Sequence, residues 1–507
     1  LNMLLLDAVL NSLVVSVLIG LVTFCMLLYQ YWWKFPHPCY PPGVRGVPVL
    51  GALPFFGKFA HKTILQWSRE KYGKIMSVRM GPNDAVVLND YDTIIEAFVK
   101  QHLVFSSRPS IRMIRELSGG FGLGFCPGHK KFFEVRHFTS KVLRGFGMGR
   151  IEMEIRVSDV AQDLVQVFES LNGKATNLRM TIGATVCNVI SSVVFGKTYD
   201  INDENMKEIV QCIFNTLSFY SFGDKKNSKY VMILTYFYAM RHIPPFKKAR
   251  KMFLSNITKQ LGFGQKEIDE HKKNLDENSP GDFIDAFLIE MKKHSPTDSW
   301  FHEKQLLLSV NALFIAGTET TTSTILWAMI VLLNYPNLQY ILHKELMTET
   351  VNPSVKHGDN LPLLQAFIQE LYRCITIAPL GLQRTNTEDV EIGGHFIPKN
   401  TVILPNIYAV HNDPVIWTEP SKFDIYRHID KDGKFIHSKK VIPFGVGARV
   451  CLGKKLAQLE VFIFLANIIK KFEIIPDPET NEIPPIHDGL SGAGFFPYPF
   501  KVIVKSR

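Results

Sequence analysis

Cysteine is scarce in this chain: seven in 507 residues, at positions 25, 39, 126, 187, 212, 374 and 451, with no C-x-x-C pair. An odd, scattered set excludes a disulfide framework and a zinc ribbon, and it points to a reducing compartment. Linkers are missing too. After the first fifty residues there is no low-complexity tract and no internal repeat, so a string of modules and a solenoid are both excluded, although a length of ~150 residues per domain would suggest about three units. Charged residues make up 21% and carry a formal net charge of +10. That excess admits nucleic acid, an anionic membrane surface or an acidic protein as partner. The basic residues fall in dispersed pairs such as Lys247-Lys248 and Lys454-Lys455, with no recognition helix or base-stacking motif, which excludes nucleic acid.

What the chain has in abundance is apolar sequence, beginning at its amino end. From Ala8 to Trp33 it is almost uninterruptedly hydrophobic, and about 25 residues of helix reach ~37 Å, enough for a hydrocarbon core of ~30 Å. No small-residue cleavage site follows, so the reading is a membrane anchor rather than a cleaved leader. Trp32, Trp33 and Lys34 close it, and aromatic and basic residues there place the body on the cytosolic side. Pro36, Pro38, Pro41, Pro42, Gly43, Pro48 and Gly51 come next; prolines this dense form a stiff extended spacer. The expected organisation is an anchor over 1–34, a proline-rich hinge over 35–55 and one large body over 56–507.

Apolar spacing predicts helices over 130–146, 151–171, 302–334, 362–375 and 452–472. Val461 to Leu465 has no polar face, which implies a fully buried helix. Two strands, 74–80 and 85–88, flank the turn Gly81-Pro82-Asn83-Asp84, and a second hairpin is expected between 390–397 and 401–404. The segment from Tyr230 through Tyr236-Phe237-Tyr238 to Ile243-Pro244-Pro245-Phe246-Lys247-Lys248 reads either as core or as an apolar-basic stretch dipping into headgroups.

The most informative run is Phe444-Gly445-Val446-Gly447-Ala448-Arg449-Val450-Cys451-Leu452-Gly453. It offers one cysteine from a glycine-rich bend that opens a helix. Helix N–H groups and the neighbouring Arg449 favour the thiolate, the form that ligates metal. Gly447 permits the bend, Gly453 lets a flat ligand lie close, and Phe444 could shield the sulfur. With Leu456 and Ala457 the stretch resembles the haem-ligating signature of the cytochrome P-450 family, haem-thiolate monooxygenases. The proline hinge resembles that of the family's animal microsomal branch.

A second signal, Ala316-Gly317-Thr318-Glu319-Thr320-Thr321-Thr322, interrupts a long apolar helix with residues that disfavour helix interiors. Small residues allow close approach to a flat cofactor, and a threonine hydroxyl can bond a carbonyl one turn back. The resemblance makes this the oxygen-activating helix, with Glu319 and Thr320 relaying protons and Ala316 and Gly317 bordering the oxygen pocket.

Glu370 and Arg373 stand three apart on a helix, a pair worth only ~0.2 to 0.5 kcal/mol on a surface. The resemblance makes them the Glu-x-x-Arg pair of a structural network completed by Arg427. Ile425 and His428 depart from the family's proline and phenylalanine there, so the local backbone should be looser. Haem propionates require donors. By the same likeness these are Arg136 (or Lys131), Arg108, Arg384 and Arg449, with Phe132 standing where the family has an indole. Lys454 and Lys455 sit where cations oppose the helix dipole; with Lys130, Lys141 and Arg144 they form a candidate docking face for an acidic electron donor. Phe314, Ala316, Leu380 and Leu490 are candidate pocket-lining residues.

The resemblance therefore implies a mainly helical α+β fold preceded by one transmembrane helix, carrying haem b on the cytosolic face of the endoplasmic reticulum. The implied reaction is oxygen insertion into a steroid, fatty acid or xenobiotic, with electrons from an NADPH-dependent flavoprotein reductase or cytochrome b5. A haem-thiolate isomerase or dehydratase of peroxides is the rival among enzymes, disfavoured by Glu319-Thr320. A membrane haem- or sterol-binding protein is the rival outside them.

Overall fold

A computed structural model describes residues 2–148, 151–219, 226–295, 300–349, 360–480 and 482–507. The first element is a helix, Asn2–Trp32, whose Ser12–Gln30 stretch has a mean hydropathy of 2.4 and buries nothing against the body. Helix Glu303–Asn334 is also long and apolar, but its most apolar 18-residue window is 78% buried; it is the central helix of the body. His302 caps it by accepting from the Gln305 amide at 3.2 Å. Its threonines are tolerated because their hydroxyls fold back one turn, Thr322 to the Thr318 carbonyl at 2.6 Å and Thr324 to that of Thr320 at 2.8 Å.

Around this axis pack helices Arg179–Val194, Pro244–Asn274, Pro362–Ile375 and Lys454–Lys471, the last running next to Ile151–Ser170. Val461 to Ile469 are buried without exception, as the absence of a polar face requires. The expected helices agree with Lys130–Gly145, Ile151–Ser170, Glu303–Asn334 and Pro362–Ile375. The helix expected from 452 starts at Lys454, because Gly453 takes the N-cap position.

The strands are β1 (Gly43–Val44), β2 (Ile75–Met80), β3 (Asn83–Leu88), β4 (Arg384–Thr385), β5 (Val390–Ile392), β6 (His395–Ile397), β7 (Val402–Pro405), β8 (Phe472–Pro476), β9 (Leu490–Ser491), β10 (Phe495–Phe496) and β11 (Val502–Ser506). The main sheet has the order β1-β2-β3-β7-β4. The second expected hairpin is corrected here. Residues 390–397 form a hairpin by themselves, β5 with β6, turning at Gly393 and Gly394, both at positive φ. Strand β7 instead runs parallel to β3, Ala85 opposite Val402.

Arg45 in the hinge, Arg79 at the end of β2 and Asp84 in β3 form a largely buried ion-pair cluster. Arg45 Nε donates to the Trp32 carbonyl at 3.0 Å, and the Arg79 guanidinium lies 4.8 Å over the Trp32 ring. The last turn of the apolar helix is thus clamped to the β2–β3 turn. The segment from Tyr230 turns mostly inward: Val231 and Leu234 are buried with Met113, Phe219, Phe246 and Phe253. Ala239 and, toward its far end, His242, Ile243, Pro244, Pro245, Lys247 and Lys248 stay exposed.

Candidate functional site

The cysteine loop is held open by backbone geometry. Gly447 has φ +75, and a Cβ there would lie 1.6 Å from the Phe98 carbonyl oxygen, so only glycine fits. The turn then closes by Cys451 N–H donating to the Phe444 carbonyl at 3.0 Å. Cys451 precedes the helix rather than opening it, and its side chain is exposed. A Cβ on Gly453 would meet nothing nearer than the Cys451 sulfur at 4.0 Å, which leaves room for a flat group beside the thiol. Partial desolvation raises the thiol above its ordinary value, and the Gly453 and Lys454 amides and Arg136 oppose that. Arg449 does not supply the expected field: its Nε and Nη2 turn away to the carbonyls of Ser106 and Cys126, each at 2.7 Å. Phe444 meets Tyr372 edge-on at 5.4 Å.

Four arginines converge next to this loop. Arg136 Nη2 donates to the Val450 carbonyl, and Arg384 Nη2 to that of Val446 at 2.8 Å. Arg108 binds the carbonyls of Leu382 and Gln383 at 2.8 and 2.7 Å. Arg449 lies 3.7 Å over the buried ring of Phe132, and Arg384 lies 3.8 Å over Phe98. Among the described residues no carboxylate pairs with any of the four, and the Nη1 atoms of Arg384 and Arg449 are buried without a hydrogen-bond partner. Burial and mutual repulsion draw Arg108, Arg384 and Arg449 down to about 9. A guanidinium keeps its proton in a protein, so this is a measure of missing counter-charge. The cluster suits a dianion.

On the central helix, Thr320 Oγ1 donates to the Ala316 carbonyl at 2.7 Å, and Ala316 is exposed. Glu319 is fully buried; Arg179 Nη2 donates to its Oε1 at 2.6 Å and Ser323 Oγ at 3.0 Å. Burial raises its carboxyl, and Arg179 and Ser323 work against that. Two expected pocket positions are corrected. Gly317 faces the neighbouring helix, since a Cβ there would lie 2.6 Å from Ile190 Cδ1. Phe314 is buried in the core, stacked on Phe195 at 4.7 Å. Leu380 packs against the main-sheet core, and Leu490 is half-buried in β9 opposite Phe496.

The profile of the family described as Cytochrome P-450 matches residues 41–504. Cytochrome P-450 2U1 of Bos taurus is 30% identical, over 97% of this chain and 93% of its own length. Cytochrome P-450 2C16 of Oryctolagus cuniculus is 31% identical, over 94% and 96%, and cytochrome P-450 2B15 of Rattus norvegicus is 30% identical, over 96% and 97%. The chain belongs to the cytochrome P-450 family. It is accordingly a member of a family of haem-thiolate monooxygenases, and its cofactor is haem b. The residues present fit that group: an accessible thiol with open space at Gly453, and four arginines without counter-ions for two carboxylates.

The P-450 body also contains the buried network around Glu370. Arg373 forks onto it at 2.8 and 2.7 Å and reaches the carbonyls of His411, Pro420 and Lys422. Arg427 lies 3.4 Å away. His428 Nε2 donates to Glu370 Oε2 at 2.9 Å. The departure at 428 therefore adds a bond where a looser backbone was expected. Burial would raise the Glu370 carboxyl, but Arg373, His428 and the Asp424 amide prevail and hold it at about 2. Sequence reasoning missed Arg179 and the bonding role of His428, because each meets its partner only through the fold. Lys130, Lys141, Arg144, Lys454 and Lys455 are all exposed and, among the described residues, make no ion pairs. They lie on two helices, and Arg136 of the first bonds the Val450 carbonyl in the loop that leads into the second.

Proposed function

We propose that this chain is a membrane-anchored haem-thiolate monooxygenase that oxidises a lipophilic substrate of the steroid, fatty acid or xenobiotic class. The observation that carries the reading is the group of three buried arginines, Arg108, Arg384 and Arg449, with half-buried Arg136, none paired with a carboxylate among the described residues, set next to an accessible cysteine in a glycine-shaped loop. Cys451 would hold the iron. Arg108, Arg136, Arg384 and Arg449 would hold the propionates, with Phe132 supporting Arg449 from below and Phe444 and Gly447 shaping the loop. When bound, haem would supply the activation of dioxygen, favoured by electron donation from the Cys451 thiolate.

The chain's own residues then bind, orient and move protons. Ala316, with no side chain beyond Cβ, leaves room at the centre of the helix. Thr320 presents a hydroxyl anchored to the Ala316 carbonyl. Glu319 is the acid of the pair; Arg179 and Ser323 hold its Oε1, and its Oε2 is left to carry the proton. The Glu370, Arg373 and Arg427 network fixes the segment that leads to the cysteine loop. Residues 1–34 would anchor the chain in the endoplasmic reticulum membrane, the 35–55 hinge would space it, and the body from 56 would face the cytosol. An NADPH-dependent flavoprotein reductase, or cytochrome b5, would dock on Lys130, Lys141, Arg144, Lys454 and Lys455.

The test is full-length protein reconstituted with reductase in vesicles and offered a panel of steroids, fatty acids and foreign compounds. Expected results are substrate oxidation that requires both NADPH and dioxygen, and a ferrous carbon monoxide complex with a thiolate spectrum that Cys451→Ala abolishes. An imidazole-type spectrum, or one unchanged in Cys451→Ala, would overturn the site. Turnover of peroxides without reductase would move the chain to the isomerase class.

A further inference from the structure

The cysteine helix carries one carboxyl that the mechanism does not use. Glu460 is 1% exposed, and its Oε2 accepts a hydrogen bond from Thr321 Oγ1 of the central helix at 3.0 Å. Its Oε1 and the hydroxyl of Tyr372, on helix Pro362–Ile375, are both buried without a hydrogen-bond partner. The groups facing it are few. Thr321 comes from the central helix and Tyr372 from the Glu370 helix, and Glu460 and the Cys451 thiol both act electrostatically on the Tyr372 phenol. Helices Ile151–Ser170 and Pro336–Glu349 also pack on the cysteine helix. Their polar contacts fall toward its far end, Gln162 with Asn467 and His343 with the Ile469 carbonyl. Among the described residues no cation pairs with Glu460.

A carboxylate in that position would be a buried charge with one hydroxyl donor and no counter-ion, which is costly. The acid form offers an acceptor at one oxygen and a donor at the other, and desolvation accordingly pushes Glu460 up to about 8.

We propose that Glu460 is a positioning residue standing as an uncharged acid, which latches the cysteine helix to the central helix through Thr321, and that its ionisation in alkaline solution places a buried negative charge on the cysteine helix that makes the haem site harder to reduce. The inference rests on the reading that Cys451 binds haem iron. Its only chemical step is the loss of one proton from Glu460 to solvent. The resulting negative charge would oppose addition of an electron to an iron held by Cys451, and so would lower the ferric–ferrous potential.

Two measurements on full-length haem-loaded protein test this. In infrared difference spectra taken well below and well above the transition, the parent loses a protonated-carboxyl band and Glu460→Gln shows no such loss. In redox titrations, the ferric–ferrous potential of the parent falls as pH rises through the transition, whereas Glu460→Gln is flat there. Thr321→Val, which removes the donor to the carboxylate, moves the transition to higher pH. A band absent at low pH, superimposable potential profiles for parent and Glu460→Gln, or an unmoved transition in Thr321→Val would each overturn the proposal. A chain that takes up no haem fails the haem reading instead, and the infrared band in that same sample still decides the state of Glu460.

Discussion

Replacing His428 by phenylalanine removes one donor from a fully enclosed carboxylate. The ring is 1% exposed, and its Nε2 lies 2.9 Å from Glu370 Oε2. A hydrogen bond to a charged group is worth ~1.5 to 3 kcal/mol. Oε2 keeps the Arg373 Nε bond at 2.8 Å, so it is not orphaned and the lower part of that range applies. The phenyl ring restores some apolar burial against Trp417, whose ring lies 5.9 Å away. The net expectation is a loss of about 1 to 2 kcal/mol, or roughly a 5- to 30-fold larger unfolding constant. Acid sensitivity should move as well. Glu370 sits at about 2 in the folded chain, so its stabilisation is present above the ordinary carboxylate range and is lost as pH falls toward that value. Without His428 the folded carboxyl moves back toward its ordinary range, so the loss on acidification is smaller and is complete at a higher pH. Urea titrations followed by near-ultraviolet dichroism, repeated down an acid series, measure both effects, and His428→Gln, which keeps a donor, should fall between. A phenylalanine variant with the parent's midpoint and acid profile would refute the idea that residue 428 belongs to the network.

Arg179→Met should leave Glu319 buried without its cation, costing about 2 to 4 kcal/mol and driving the carboxyl to its neutral form, as thermal unfolding and infrared spectra of the variant would report. Reversing charge at Lys454 and Lys455 should slow reductase-driven turnover and flatten its salt dependence; stopped-flow reduction that keeps the parent's rate and salt slope would remove these residues from the docking face. The His271–Asp282 pair, at 2.8 Å, predicts a loss of stability on the alkaline side. Desolvation lowers His271, but bonds to Asp282 and the Glu267 carbonyl outweigh it and hold the ring at about 9. Its contribution of about 1 to 2 kcal/mol, discounted for partial exposure, is therefore complete below the ordinary histidine range and disappears as pH rises through 9. Melting curves of parent and His271→Leu should converge at high pH.

The helices were legible because their apolar period is local: Lys130–Gly145 and Pro362–Ile375 lie within a residue or so of their expected bounds. The 390–397 strand was misread although Gly393-Gly394 marks a tight hairpin. The apolar run at 402–405 gave no indication that it would seek β3, more than 300 residues earlier in the chain. The bend at Gly447 and a close approach at Gly317 were visible, but the neighbours that crowd them were not. One glycine admits the Phe98 carbonyl, and the other admits Ile190 of a neighbouring helix. Likeness to a family singled out Arg108, Arg136, Arg384 and Arg449, but their shared lack of a counter-ion is a property of the folded chain alone. Arg179, His428 and Glu460 meet partners 140, 58 and 139 positions away, and no spacing rule reaches that far.

The clamp of Arg45, Arg79 and Asp84 on the final turn of the apolar helix has a mechanical meaning. A chain held in a bilayer by a loose leash would tumble and sample every height above the lipid. On the proposed anchoring, a leash bolted at its root would make the body an outboard load whose tilt follows that of its stalk, so a change in bilayer thickness would be passed on as a change in the angle at which the body meets neighbours diffusing in the same plane.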